Sequence, residues 1–172
     1  RTTGMPNLTD HYRDYYGDAN HSDWRDLGAR YKAANIIDLW TQVGEMGEPQ
    51  VVEFGCGDGA IIQELARQGF GHSYVGYEIS DSGVRQARER MYAKPTRFEL
   101  FDGTKLPAED KSFDLAILSH VLEHAEEPRQ LVKEAARLAN HVYVEVPLEL
   151  HLGTPRDFRW TSVGHINPYS PV

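Results

Sequence analysis

Three acids and a serine–histidine pair stand at the ends of apolar runs in this chain. Glu53 precedes a glycine turn in Val51-Val52-Glu53-Phe54-Gly55-Cys56-Gly57-Asp58-Gly59-Ala60, and Asp58 sits inside that turn. Glu78 ends Ser73-Tyr74-Val75-Gly76-Tyr77-Glu78, Asp102 follows Arg97-Phe98-Glu99-Leu100-Phe101, and Ser119 and His120 follow Phe113-Asp114-Leu115-Ala116-Ile117-Leu118. Glycines without Cβ atoms let a ligand approach the backbone closely. Gly55, Gly57 and Ala60 also satisfy the dinucleotide pattern G-x-G-x-x-G/A, so the glycines alone do not choose a ligand.

The acids narrow the choice. A phosphate on the first loop would meet Glu53 and Asp58, and unpaired like charges at a dehydrated site are costly, whereas a cationic ligand is favoured there. Glu78 lies about twenty residues beyond the glycines, where an acid accepts both hydrogen bonds of a ribose diol. NAD and S-adenosylmethionine share that ribose. A carboxylate at Asp102 suits an adenine amino group, and adenosine joined to a positive centre fits S-adenosylmethionine.

These residues need elements to hold them. The spacing predicts a helix from Asp23 to about Val43 with Trp24, Leu27, Tyr31, Ala34, Ile37 and Trp40 on its apolar face. Strands are expected at Val51–Phe54, Ser73–Ile79, Arg97–Phe101, Phe113–Ser119 and His141–Val146. Helices are expected from about Ala60 to Gln68, from a Ser80 or Asp81 cap to about Tyr92, and from Pro128 to near Asn140. Strands separated by helices imply right-handed crossovers, hence an α/β, doubly wound, Rossmann-like parallel sheet with helices on both faces. Ligands of such sheets bind beyond the carboxyl ends of the strands, where these acids stand. Residues 1–22, with Tyr12, Tyr15 and Tyr16, read as an aromatic arm or lid, and residues 23–172 as the ligand-binding domain.

The stretches VVEFGCGDGA, VGYEIS and LFDGTKLPAEDKSFDLAILSHVLEHAEEP resemble, in order and spacing, the motif series of the class I S-adenosylmethionine-dependent methyltransferases of the small-molecule type. The likeness runs from about Val51 to Pro147 and extends to Gly164-His165-Ile166-Asn167. It implies that Glu53 orients the methionine amino group while Gly55, Cys56 and Gly57 line that part of the cofactor. It further implies that Glu78 and Ile79 bind the ribose, Asp102 and Gly103 the adenine, and that Ser119 and His120 frame the reactive methyl. Two departures stand out. The Gly-Gly turn before the fifth strand is absent, and members continue after the G-H segment through a helix and two strands that this sequence lacks, which is read as an omission.

Other features bound the function. The 172 residues suit one domain, with 40% hydrophobic and 26% charged residues and no apolar run that would span a bilayer. A net charge of -8 disfavours nucleic acid, and a single cysteine with no recognisable leader points to a cytoplasmic protein. Cys56 reads as a small filler between glycines and not as a nucleophile. Asp58 has two readings, ligand contact or the positive end of the following helix. Asp114 is expected to be structural, and His141 and His151 to face solvent. His120, Glu123 and His124 in SHVLEH invite a zinc reading, but a third ligand is wanting and no metal is expected. His120, His124 and His165 are the candidate bases for an acceptor hydroxyl. The expected reaction is methyl transfer to an O, N or C nucleophile of a small molecule. The rivals are an NAD-dependent oxidoreductase, a non-catalytic partner subunit, and a cofactor-retaining cyclisation or rearrangement.

Overall fold

A computed structural model describes residues 22–45, 47–101, 105–148 and 165–170. The aromatic arm, Asp102 with Gly103, and His151 lie outside these described residues, as does most of the segment between Leu148 and His165. The chain runs α1 (Ser22–Gln42), β1 (Gln50–Phe54), α2 (Ala60–Arg67), β2 (Ser73–Glu78), α3 (Asp81–Glu89), β3 (Thr96–Leu100), β4 (Phe113–Ser119), α4 (Pro128–Leu138) and β5 (Ala139–Glu145). All neighbouring strands pair in parallel, in the order β3-β2-β1-β4-β5. Strand order therefore reverses between β1 and β4, which places the glycine loop and the Ser119-His120 pair side by side.

Alternation along the strands sorts the core into two layers. Val51, Tyr74, Leu115 and Ile117 pack with Ala33, Ile36 and Trp40 of α1, Ile62 and Leu65 of α2, and Val84 and Ala87 of α3. Val52, Phe54, Val75, Tyr77, Ala116 and Leu118 form the other layer with Ala135 and Leu138 of α4. Helices thus cover both faces, as a sheet of central strands apolar on both sides requires.

The buried face of α1 differs from the expected one. Trp24, Leu27 and Tyr31 are exposed, and the packed stripe is Ala29, Ala33, Ile36 and Trp40. Small alanines let this helix approach the layer below closely, a preference that the spacing of large apolar residues does not register. Edges shift by a few residues: α3 ends at Glu89, and Leu138 passes directly into β5 at Ala139, whose extended backbone ends α4.

At the amino ends of the strands Asp114 is structural, accepting the Gln50 amide at 2.8 Å. His141 is part-exposed, as expected for a solvent-facing residue, and also packs on α1 and pairs with Glu45. Its ring meets Trp40 edge to face with centroids 5.3 Å apart, and its Nε2 lies 3.0 Å from Glu45 Oε1.

Gly76 in β2 is a tight point of the layer that carries Cys56. A Cβ there would lie 2.5 Å from the Phe98 ring and 2.7 Å from Cys56 Sγ. Gly76→Ala is expected to destabilise the fold by about 1–3 kcal/mol through overpacking, measurable as a lowered midpoint in urea with an unchanged slope.

Candidate functional site

The carboxyl ends of β1, β2 and β4 converge on one region, and each brings a polar group that burial makes expensive. Gly55 and Cys56 donate their amides to the Tyr77 carbonyl at 2.7 and 3.1 Å, which fastens the glycine loop to β2. Gly55 adopts φ +65°, and a Cβ on it would lie 2.7 Å from Val121 Cγ2. The loop after β1 therefore touches the turn after β4, and only glycine fits between them without rearrangement.

Glu53 shares the sheet face of Val51 and is 1% exposed, and its Oε2 has no hydrogen-bond partner among the described residues. Burial pushes its carboxyl well above the ordinary range; Lys32 opposes the shift, while Asp58 and Glu78 add to it. A group that would be a carboxylate in water is thus held ready for a cationic partner.

Glu78 ends β2 and is also buried. Its Oε2 accepts the Gly57 amide at 2.9 Å and its Oε1 the Ser80 amide at 2.8 Å. Burial raises its carboxyl and the backbone amides of Ser80, Gly57 and Ile79 lower it, with a net upward shift. Both oxygens retain lone pairs for further donors. Ile79 follows, half-buried.

Cys56 is buried in the core against Gly76, and its thiol is pushed up by burial and by Glu53 and Glu78. It fills space and stays protonated, so it does not supply a thiolate.

Asp58 has a role that neither of its sequence readings named, beside a long contact to the helix start. Its Oδ2 accepts Arg25 Nε at 2.7 Å and Arg90 Nη2 at 2.8 Å, while Oδ1 meets the Ala60 amide at only 3.4 Å. Arg25 comes from α1 and Arg90 follows α3, so this acid ties two helices to the glycine loop. Its charge is compensated by protein. The repulsion expected for a pyrophosphate on this loop therefore does not come from Asp58.

At the end of β4, Ser119 Oγ donates to Glu145 Oε2 of β5 at 2.7 Å, so its proton is engaged away from the glycine loop. His120 is a non-glycine residue with φ +56°, a conformation that costs of order 1–3 kcal/mol and turns the chain out of the strand. Its amide still bonds the Glu145 carbonyl at 2.9 Å, and its half-exposed ring places Nδ1 3.1 Å from Glu123 Oε1. Glu123 is fully buried. Burial would raise its carboxyl, but His120 and His124 hold it below the ordinary value.

His165 is brought to the same turn. The Ile166 and Asn167 amides donate to the Glu123 carbonyl at 2.8 and 3.1 Å, and Asn167 Nδ2 donates to the Leu122 and Ala125 carbonyls at 2.8 and 2.7 Å. The His124 and His165 rings meet edge to face, 4.7 Å between centroids. Sequence reasoning singled out the three histidines but missed Asn167, Arg25 and Arg90, the residues that hold the site in shape. The Gly-His-Ile-Asn segment carried the only signal, and for Asn167 alone.

Comparison with known proteins gives the family and the fold. A sequence model described as a methyltransferase domain matches residues 52–141. The chain is 34% identical over 113 residues to an uncharacterised methyltransferase of Mycobacterium sp. (strain JLS), covering 62% of this chain and 41% of that protein. It is 31% identical over 101 residues to a phthiotriol/phenolphthiotriol dimycocerosates methyltransferase of Mycobacterium tuberculosis, covering 57% of this chain and 36% of that protein. Its fold matches the crystal structure of a magnesium protoporphyrin IX methyltransferase from Synechocystis PCC 6803 with bound SAH. That match has a TM-score of 0.55 and 25% identity, over 76% of this chain and 62% of the other. It also matches the cyclase SpnF, with a TM-score of 0.60 and 25% identity over 72% of this chain and 47% of the other. The chain thus spans only about two fifths of the curated relatives named here. Among the described residues no helix is long and apolar enough to cross a membrane.

Proposed function

The chain belongs to the class I S-adenosylmethionine-dependent methyltransferase family, and from that premise we propose that it transfers the cofactor's methyl group to an O, N or C nucleophile of a small organic molecule. The observation that carries the reading is the buried Glu53 carboxyl, with an oxygen left without a partner among the described residues, at the start of the glycine loop. An ammonium group satisfies it, and a phosphate does not.

In this reading Glu53 receives the amino group of the methionine moiety, and Gly55, Cys56 and Gly57 line it through their backbone. Glu78 accepts the ribose hydroxyls, with Ile79 against the sugar, while Asp102 and Gly103 are assigned to the adenine by the family pattern. Bound there, S-adenosylmethionine supplies a methyl group already activated by its sulfonium. The protein's remaining work is positioning and water exclusion. Ser119 and His120 stand at the end of β4, where the acceptor would meet the methyl group. His120 is the first candidate to take a proton from an acceptor hydroxyl, with His124 and His165 behind it. A net charge of -8, and relatives named for phthiotriol/phenolphthiotriol dimycocerosates and magnesium protoporphyrin IX, favour an organic acceptor over RNA or DNA. A second reading, in which the cofactor is kept and the substrate cyclises, rests on the likeness to SpnF. Label transfer from methyl-labelled cofactor separates the two.

Calorimetric titration tests the cofactor directly. S-adenosylmethionine and its demethylated product are expected to bind in the micromolar range and NAD not to bind. Glu53 adds a pH signature. Burial raises its carboxyl in the free protein, and a cationic ligand favours the carboxylate, so binding favours loss of a proton there. Affinity should therefore strengthen as pH rises above the ordinary carboxylate range, by up to about tenfold per unit. The groups that face Glu53, namely Lys32, Asp58 and Glu78, set the width of the window. Tighter binding of NAD, or an affinity that does not strengthen at all as pH rises above the ordinary carboxylate range, would remove Glu53 from the cofactor site.

A further inference from the structure

The turn after β4 holds a buried carboxylate that the methyl-transfer reading leaves without a task. Glu123 is 0% exposed, and neither of its oxygens has a well-formed hydrogen bond among the described residues, although His120 Nδ1 approaches Oε1. A carboxylate so placed is strongly disfavoured unless a cation compensates it. Beside it, one ligand atom each of Glu123, His124 and His165 lie within 4.8 Å of one another. The arrangement is fastened: four hydrogen bonds from Ile166 and Asn167 to the carbonyls of Leu122, Glu123 and Ala125 join the segment bearing His165 to the turn bearing the other two.

We propose that Glu123, His124 and His165 form a binding site for a divalent transition-metal ion of the zinc type. Two imidazole nitrogens and one carboxylate oxygen are the donor set that such ions prefer over magnesium or calcium. Donor atoms of a tetrahedral zinc stand roughly 3.3 Å apart, so the cluster needs only a small contraction, within reach of two half-buried rings turning toward Glu123. Three protein ligands leave a position open, the pattern of zinc sites that act on a ligand and do not merely brace a fold. The earlier expectation of no metal followed from the spacing of His120 and His124, which supplied no third ligand. The fold supplies it from His165 and leaves His120 outside the group. On the methyl-transfer reading, an ion here would take His124 and His165 out of the candidate bases, leave His120, and hold an oxygen of the acceptor beside it. The metal site itself stands without that reading.

The test uses the metal alone. The full chain, stripped with a chelator, is titrated with Zn²⁺ by calorimetry and with Co²⁺ by its visible absorption, and S-adenosylmethionine binding is measured in parallel. One ion per chain is expected, with His124→Ala and His165→Ala each weakening binding by at least about 10²-fold. Asn167→Ala, which unpins His165, should weaken it by about tenfold. His141→Ala, whose ring faces Trp40 and Glu45, should leave it unchanged. Absence of stoichiometric binding, or equal affinities in the wild type and in both histidine variants, overturns the site. Because His165 lies outside the sheet, its variant carries the test even where His124→Ala fails to fold. A protein that binds zinc without S-adenosylmethionine, or the reverse, tells which of the two readings has failed.

Discussion

Glu78→Ala is expected to weaken S-adenosylmethionine binding by at least about 10²-fold while leaving a folded protein. A carboxylate that accepts two ribose hydroxyls contributes two charge-assisted hydrogen bonds, each worth about 1.5–3 kcal/mol net. Water entering the vacated space returns part of that. The same side chain also organises the loop, since its two oxygens accept the Gly57 and Ser80 amides. Alanine leaves both amides to find other partners and loosens the turn that must lie against the cofactor. Glu78→Gln separates the two contributions. Its amide oxygen keeps one backbone bond and one acceptor for the ribose but carries no charge, so its loss should fall between those of the wild type and the alanine variant. Calorimetry with the cofactor and its demethylated product reads both effects. Wild-type affinity in Glu78→Ala would place the ribose elsewhere.

The architecture was legible because its signals are local. A parallel strand covered on both faces reads as a continuous apolar run, and Phe113–Ser119 and Val51–Phe54 read that way. The acids that end the strands were visible for the same reason, since a charge closing such a run has little structural excuse. Interactions between distant parts of the chain left no such mark. Arg25 and Arg90 look in sequence like solvated helix charges, yet they meet Asp58 across separations of 33 and 32 residues. The packed stripe of α1 was read only at its C-terminal end, at Ile37 and Trp40, because periodicity weighs bulky side chains, whereas close approach selects alanines at 29 and 33. His165 was noticed through its motif, but its place beside Glu123 depends on hydrogen bonds from Asn167 that no spacing rule encodes.

Asp58→Ala tests the most consequential of these revisions, because the three roles open to this acid give different results. A ligand contact predicts a loss of cofactor affinity comparable to that of Glu78→Ala. A bystander at a helix start predicts a stability loss of about 0.3–1 kcal/mol. The ion-pair clamp predicts more. Removing Asp58, itself 3% exposed, leaves two guanidinium groups facing each other across the space it occupied, and breaking a fully buried pair costs about 3–5 kcal/mol. Arg25 and Arg90 keep 19% and 15% of their side-chain surface, so water recovers part of that cost. Arg90 also keeps Asp26 and Gln63 as partners. A loss of about 2–3 kcal/mol follows, or roughly 4–12 °C in Tm for a chain of this size. Cofactor affinity in the folded variant should change by less than about tenfold, because Glu53 and Glu78 are untouched. Adding Arg90→Ala should then cost less in the Asp58→Ala background than in the wild type, the mark of two residues sharing one interaction. Unchanged thermal stability together with a large affinity loss would return Asp58 to the ligand and leave α1 to be held by its alanine stripe alone.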